Sequence, residues 1–454
     1  MPLFSVVSIA IVLSNAIDCG RLAPLAHAAE AESKPNIVLI IADDLGRYQL
    51  GCYGSTFYET PNIDRLAGEG MRFANAYAAA PVCSATRASI MTGKYPARLH
   101  LTNFIVGDAP NDRKLLTPDW TKSLPLEEVT IAESLKQVGY ATAHFGKWHL
   151  GDHDPDTQGF DRSVLTYKPR KKNGREWQTA ENDAHNVRYI TERSLEFIEK
   201  NRETPFSLIA SHNSIHTPLL EKEKLIQKYE AKAESSLPGN KPVVGAMMET
   251  LDASIGVILK KLAELNLEEN TVVVFYSDNG HHSPKNAGPL RGGKGDLYEG
   301  GIRMPLVIRW PAEIKAGGEC DEVVISNDFF PTFNDIAGVQ FPAESIDGVS
   351  FLPVLKDPGA RLDRKAIHWH FPHYHGAGIG PQGAIRSGPY KLIEWFEKSV
   401  DDEPDAFELY DLLEDPGEQE NRVESLPDIA DKLKEALRVW RERVGAQTMS
   451  KREP

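Results

Sequence analysis

Cysteine is scarce in this chain: 454 residues hold only four, Cys19, Cys52, Cys83 and Cys320. So few do not make a disulfide scaffold, and the fold must rest on an ordinary hydrophobic core. A surplus of positive charge is also missing. Lys and Arg number 51 against 65 Asp and Glu, a net charge of -14. Without a phosphate-neutralising excess, nucleic acid is excluded as a partner. A small anionic substrate is not excluded, because a site can be locally basic on an acidic protein. Repeats, collagenous patterns and low-complexity tracts are absent. Long apolar runs are lacking too. Leu3 to Ile17 is apolar but short for a membrane span, and no other segment reads as long and apolar enough to span a bilayer. The small-x-small site Ala26-His27-Ala28 follows, so residues 1–28 read as a signal peptide for periplasmic or secreted export, though without a basic n-region. Cys19 would leave with it, and Cys52 and Cys320 fit either a disulfide or two buried thiols.

What is present is an α/β pattern. Asn36 to Ala42 and Thr271 to Ser277 are apolar, β-branched runs suited to strands buried on both faces. Further strands are expected at Tyr140 to Phe145, Phe206 to Ala210 and Pro305 to Trp310. Helices are expected at Val129 to Val138, Ile190 to Glu199 and Val244 to Leu265. Alternating strands and helices imply a large, mixed, mostly parallel sheet flanked by helices over residues 35–340. Residues 341–454 read as a smaller α+β domain. Its antiparallel strands are expected at Ile367 to Trp369, Gly383 to Arg386, Tyr390 to Trp395 and Glu408 to Asp411, with a last helix at about Ile429 to Val444.

The chemistry gathers where the strands end. Asp43 and Asp44 follow the first buried run, and Asp278 and Asn279 follow another. Open α/β sheets bind ligands at the carboxyl ends of their strands. Four hard oxygen donors converging there suit Ca²⁺ or Mg²⁺. Helix capping is the plainer use of either pair alone. Cys83 opens a helix-compatible stretch ended by Gly93, with Arg87 one turn on. A helix N-terminus and a guanidinium together favour a bound anion.

Cys83-Ser84-Ala85-Thr86-Arg87 with Thr92-Gly93 resembles the signature of the formylglycine-dependent (type I) sulfatases, arylsulfatase-like members of the alkaline phosphatase superfamily. Ala85 stands where that family usually has Pro, a variant that some of its maturation systems accept. The likeness runs from about residue 35 to residue 425. It includes Asp43-Asp44, Gly146-Lys147-Trp148-His149, His212 to Pro218, Ser277-Asp278-Asn279-Gly280, Gly292-Gly293-Lys294-Gly295 and Leu409-Tyr410-Asp411.

The resemblance implies sulfate-ester hydrolysis, with Cys83 oxidised to formylglycine by a maturation enzyme. One Ca²⁺ would be held by Asp43, Asp44, Asp278, Asn279 and the oxygen of modified Cys83. One hydroxyl of the hydrated aldehyde attacks sulfur, with Asp278 as base, and His216 or Lys294 protonates the leaving alcohol. The other hydroxyl, with His149 as base, then expels sulfate. Arg87, Lys147 and Lys294 offset negative charge. An exported enzyme of this kind is expected to act on sulfated carbohydrate, at a chain end. His212, His373 and His375 are candidate substrate contacts, His212 balanced against a packing role. Segment Thr102 to Trp120 is a further candidate. The rival readings are a phosphate or phosphonate monoester hydrolase of the same superfamily and an inactive sulfated-glycan binding protein.

Overall fold

The computed structural model describes residues 34–452 apart from 108–109, 111, 167–182, 284–287 and 377–378. The expected signal peptide lies outside the described residues. In chain order the strands are β1 (Asn36–Ala42), β2 (Met71–Tyr77), β3 (Leu115–Leu116), β4 (Ala141–Gly146), β5 (Arg162–Leu165), β6 (Phe206–Ser211), β7 (Thr271–Ser277), β8 (Arg303–Met304), β9 (Leu306–Arg309), β10 (Gly318–Ile325), β11 (Ile367–Phe371), β12 (Gln382–Ser387), β13 (Tyr390–Trp395), β14 (Phe407–Asp411) and β15 (Ser450–Lys451). The large sheet runs β10-β2-β9-β7-β1-β6-β4-β5, with β8 paired to β2.

β1 is central, and all seven of its residues are buried. Its side chains alternate between two cores: Ile37, Leu39 and Ile41 join one, Val38, Ile40 and Ala42 the other. A strand covered on both faces has to be apolar throughout, as this one is. β4, β6, β1 and β7 run parallel, while β9 pairs antiparallel with both β7 and β2. The expected strand at Pro305 to Trp310 is therefore present but reversed. β9 continues β8 past the single residue Pro305, both antiparallel to β2, so the chain re-enters the sheet at the edge where β7 leaves it, with no crossover to bring it round in parallel.

One expectation about membrane segments needs correction. Helix Pro242–Glu264 is long and apolar enough to cross a bilayer. Here Val244, Met247, Leu251, Ile255, Ile258 and Leu262 bury its apolar stripe in the core beneath β1 and β7. Cys52 and Cys320 are free thiols.

β11 to β14 form an antiparallel sheet, crossed by helix Pro427–Val444. Trp369, Ile385, Leu392 and Leu409 share one apolar cluster with Val82, Ala85, Leu297 and Ile302. The small sheet thus packs directly under the segments that carry Cys83 and Lys294. A buried triad reinforces the contact: Lys391 Nζ lies 2.9 Å from Glu299 Oε1 and 2.8 Å from Glu418 Oε1, and all three side chains are fully enclosed.

Candidate active site

The register fixes the site. Ala42 lies opposite Ser277, Ile41 opposite Ser211, and Ser211 opposite Gly146. The residues that follow therefore leave the sheet at one edge: Asp43 and Asp44 from β1, Asp278 and Asn279 from β7, Lys147 from β4. Gly146 makes the last approach possible. Its φ is +115°, and a Cβ there would sit 1.8 Å from the Ser211 carbonyl oxygen. Only glycine lets Lys147 N–H reach that same oxygen, at 2.8 Å. Asp44 also has positive φ, +61°, a conformation that a short polar side chain tolerates.

Helix Cys83–Thr92 points its N-terminus at this edge, with every residue buried. Its polar side chains are satisfied internally. Thr86 Oγ1 donates to Ala80 O at 2.9 Å, and Ser89 Oγ pairs with Ser326 Oγ at 2.6 Å. Gly93, at φ +71°, ends the helix in the left-handed conformation usual for a C-terminal glycine.

Cys83 Sγ lies 3.6 Å from Asp43 Oδ1, 3.9 Å from Asp44 Oδ1 and 3.4 Å from Lys294 Nζ. Lys147 Nζ holds Asp43 Oδ2 at 2.6 Å. Lys294 Nζ holds both oxygens of Asp44, at 2.6 and 2.9 Å. Arg87 places Nε 2.9 Å and Nη2 2.8 Å from Asp278 Oδ2, while Nη1 donates to Lys147 O and Ser211 Oγ. His216 Nε2 stands 3.8 Å from Asp44 Oδ2, on the more exposed side. The ligand atoms of Asp43, Asp44, Cys83 and His216 all lie within 4.8 Å of one another.

Burial and pairing set the protonation states. Burial alone would raise Asp43, but Lys147, His216, Arg87 and Lys294 outweigh it and hold the carboxyl well below its usual range. Asp44 is likewise lowered, with Lys294 the main cation acting against burial. Asp278 goes the other way. Burial and the charge of Asp43 push it to about 6, despite Arg87 and Lys147. The Cys83 thiol is raised by burial to about 12, so it is protonated at neutral pH. His149 is lowered by burial and then by Lys147, which keeps it neutral.

The cluster balances three carboxylates, Asp43, Asp44 and Asp278, against three cations, Arg87, Lys147 and Lys294. A divalent cation held there would add the positive charge that an anionic ester calls for. The donors fit a hard ion. Asn279 donates through Nδ2 to Asp44 Oδ1 and Gly280 O, leaving Oδ1 buried with no hydrogen-bond partner. An amide oxygen beside three carboxylates suits Ca²⁺ or Mg²⁺.

The other histidines divide. His375 lies over Gly295, whose added Cβ would be 2.5 Å from its ring, so it reaches the rim beside Lys294. His373 does not. It is fully buried, its Nε2 paired with Thr102 Oγ1 at 2.7 Å and its ring packed on Trp120. The expectation that His373 touches substrate is corrected to a packing role, because a ring enclosed in that way presents no face to a ligand. His212 is also fully buried, and neither ring nitrogen has a hydrogen-bond partner. Sequence reasoning missed Ser211, which braces Arg87, and the Ile105 carbonyl, which receives His149 Nε2. A strand-end serine is weakly visible beside His212, whereas a backbone carbonyl leaves no trace in sequence.

Buried carboxylates and cations around a cysteine, at the carboxyl edge of a parallel sheet, define a hydrolase site for an anionic ester. The sulfatase family profile matches residues 35–339, and that for the C-terminal region of N-sulphoglucosamine sulphohydrolase matches residues 293–443. A sulfatase of Formosa agariphila is 30% identical, covering 95% of this chain and 93% of its own. Arylsulfatase A of Homo sapiens is 30% identical over 92% of this chain and 89% of its own. The crystal structure of Ps i-CgsB in complex with k-i-k-neocarrahexaose superposes with a TM-score of 0.74 at 27% identity, covering 90% of this chain and 93% of that one. The chain belongs to the sulfatase family. It is a sulfuric ester hydrolase.

Proposed function

We propose that this enzyme is an exported sulfatase that removes sulfate from the end of a sulfated carbohydrate, using a formylglycine made from Cys83 and one Ca²⁺. The observation that carries the reading is the setting of Cys83: first residue of a buried helix, within 4 Å of Asp43, Asp44 and Lys294. A thiol held at about 12 is a poor nucleophile, so the position gains its chemistry by oxidation. Hydrated formylglycine supplies two hydroxyls on one carbon, one to take the sulfuryl group and one to release it. Asp43, Asp44, Asp278, Asn279 and the oxygen of modified Cys83 would hold the calcium, which would supply Lewis acidity and the missing positive charge.

The chain's own residues do the rest. Arg87, Lys147 and Lys294 offset the charge that grows on the sulfuryl oxygens. Asp278, poised near 6, takes a proton from the attacking hydroxyl. His216, on the open side next to Asp44, gives a proton to the leaving alcohol. Neutral His149 takes the proton as sulfate departs. His375 contacts the carbohydrate at the rim. Residues 35–340 form the catalytic domain and 341–454 the smaller one. A relative named N-acetylgalactosamine-6-sulfatase, from Rattus norvegicus, and a neighbour bound to neocarrahexaose support a glycan substrate.

The test is mass spectrometry of the tryptic peptide Phe73 to Arg87 from active enzyme. The mass loss of Cys-to-formylglycine conversion is expected. An unmodified Cys83 in fully active protein would sink the reading.

A further inference from the structure

The residue after the nucleophile position points away from the carboxylates and meets a loop. Ser84 is completely buried, and its Oγ accepts the Ile105 N–H at 3.0 Å. The carbonyl of the same residue, Ile105, pairs with His149 Nε2. A carbonyl only accepts, so in the neutral ring the proton is on Nε2 and the lone pair on Nδ1. A single residue of backbone therefore links the start of the Cys83 helix to the tautomer of a histidine that follows β4. The histidine is itself held in a left-handed backbone conformation, φ +57°, which leaves its ring little choice of direction.

We propose that Ser84 is a positioning residue: by anchoring Ile105 it fixes His149 as the Nε2–H tautomer, with Nδ1 as the proton-accepting atom. The inference rests on the reading of His149 as the base that acts when sulfate departs. Without the Ser84 hydroxyl, Ile105 N–H loses its acceptor at a part-buried place, and such a group shifts toward nearby water. Its carbonyl moves with it, and His149 is released to sample both tautomers and other orientations. Displacements of about 1 Å at a catalytic group cost 10- to 100-fold in rate. The defect falls on the second half of the reaction, which is common to every substrate whatever alcohol it carries.

The test compares Ser84→Ala and Ser84→Thr with the parent enzyme, the rate being normalised to formylglycine content by mass spectrometry. Normalisation matters because Ser84 adjoins the maturation site. Two readouts need no turnover: amide exchange at Ile105, and ¹⁵N-histidine NMR of the His149 ring, assigned by its loss in His149→Gln. In Ser84→Ala, Ile105 exchange is expected to rise at least about tenfold, and the His149 signals to leave the Nε2–H pattern. The rate per formylglycine is expected to drop about 10- to 100-fold, with KM falling alongside it because the first half of the reaction sets kcat/KM. A burst of phenol from an aryl sulfate should precede the slow phase. Ser84→Thr keeps the hydroxyl and is expected to restore all of these. Unchanged Ile105 exchange and His149 signals in Ser84→Ala would overturn the proposal, as would altered signals with an unaltered normalised rate. Loss of function in the parent's own reading shows elsewhere: a His149→Gln enzyme of full normalised activity would remove His149 as base, while the exchange and NMR data still report whether Ser84 holds it.

Discussion

Replacing Lys147 by methionine removes one buried charge at nearly constant volume. Lys147 is fully enclosed, and its Nζ lies 2.6 Å from an Asp43 carboxylate that is 1% exposed. Breaking one side of such a pair strands the other, at about 3–5 kcal/mol. His216, Arg87 and Lys294 still act on Asp43, so the low end, about 3 kcal/mol, is expected. For a folded unit spanning Lys34–Pro454, that is a fall in Tm of about 3–4 °C. The pH dependence has a definite sign. Asp43 is depressed in the folded parent, so its contribution is present above the unfolded carboxyl pKa and is lost as pH falls toward the folded one. Lys147→Met depresses Asp43 less. Its deficit is therefore full at pH 7 and shrinks only once pH falls below the folded Asp43 pKa of the variant, toward that of the parent. Chelator should expose the deficit, and calcium should reduce it, because a bound cation replaces part of the lost charge. Urea denaturation at pH 7, in EGTA and in calcium, reads the deficit and its reduction. Turnover should fall about 100- to 1,000-fold. Equal stability of parent and variant in EGTA at pH 7 would refute the reasoning.

Asp278→Ala should abolish both the calcium-induced rise in Tm and turnover, as thermal melts with and without EGTA would show. Full activity of the parent in calcium-free buffer would contradict the ligand assignment. Asp296 is buried and raised by that burial to about 6, so its favourable contribution is present below the unfolded carboxyl pKa and is lost as pH rises through 6. Asp296→Asn should gain on the parent by up to about 3 kcal/mol between pH 4 and pH 8 in urea titrations. Gly295→Ala places a Cβ 2.5 Å from the His375 ring at φ +88°. It should cost about 1–3 kcal/mol in a urea melt and lower activity on a sulfated oligosaccharide more than on an aryl sulfate.

Local pattern was enough for some of this protein. The run Thr271 to Ser277 is a strand with those limits, and Tyr390 to Trp395 is another, because β-branched and apolar residues prefer a buried pleated surface wherever it lies. Cys83 at a helix start, with Arg87 one turn on, followed from composition and from Gly93 as a terminator. The placing of Asp43-Asp44 and Asp278-Asn279 at strand ends was equally legible. Tertiary structure alone decided the rest. That β1 lies between β6 and β7 depends on burying both faces of a strand, a property of neighbours hundreds of residues away. The antiparallel β9, the pairing of Lys147 with Asp43 and Lys294 with Asp44, and the parting of His373 from His375 are long-range outcomes as well. Ile105 is the clearest case. Its part is played by an N–H and a C=O that almost every residue owns, so only the folded chain reveals it. The sequence by itself determined which residues carry the chemistry, since side-chain type is local. The fold decided which of them meet, since distance and burial are not.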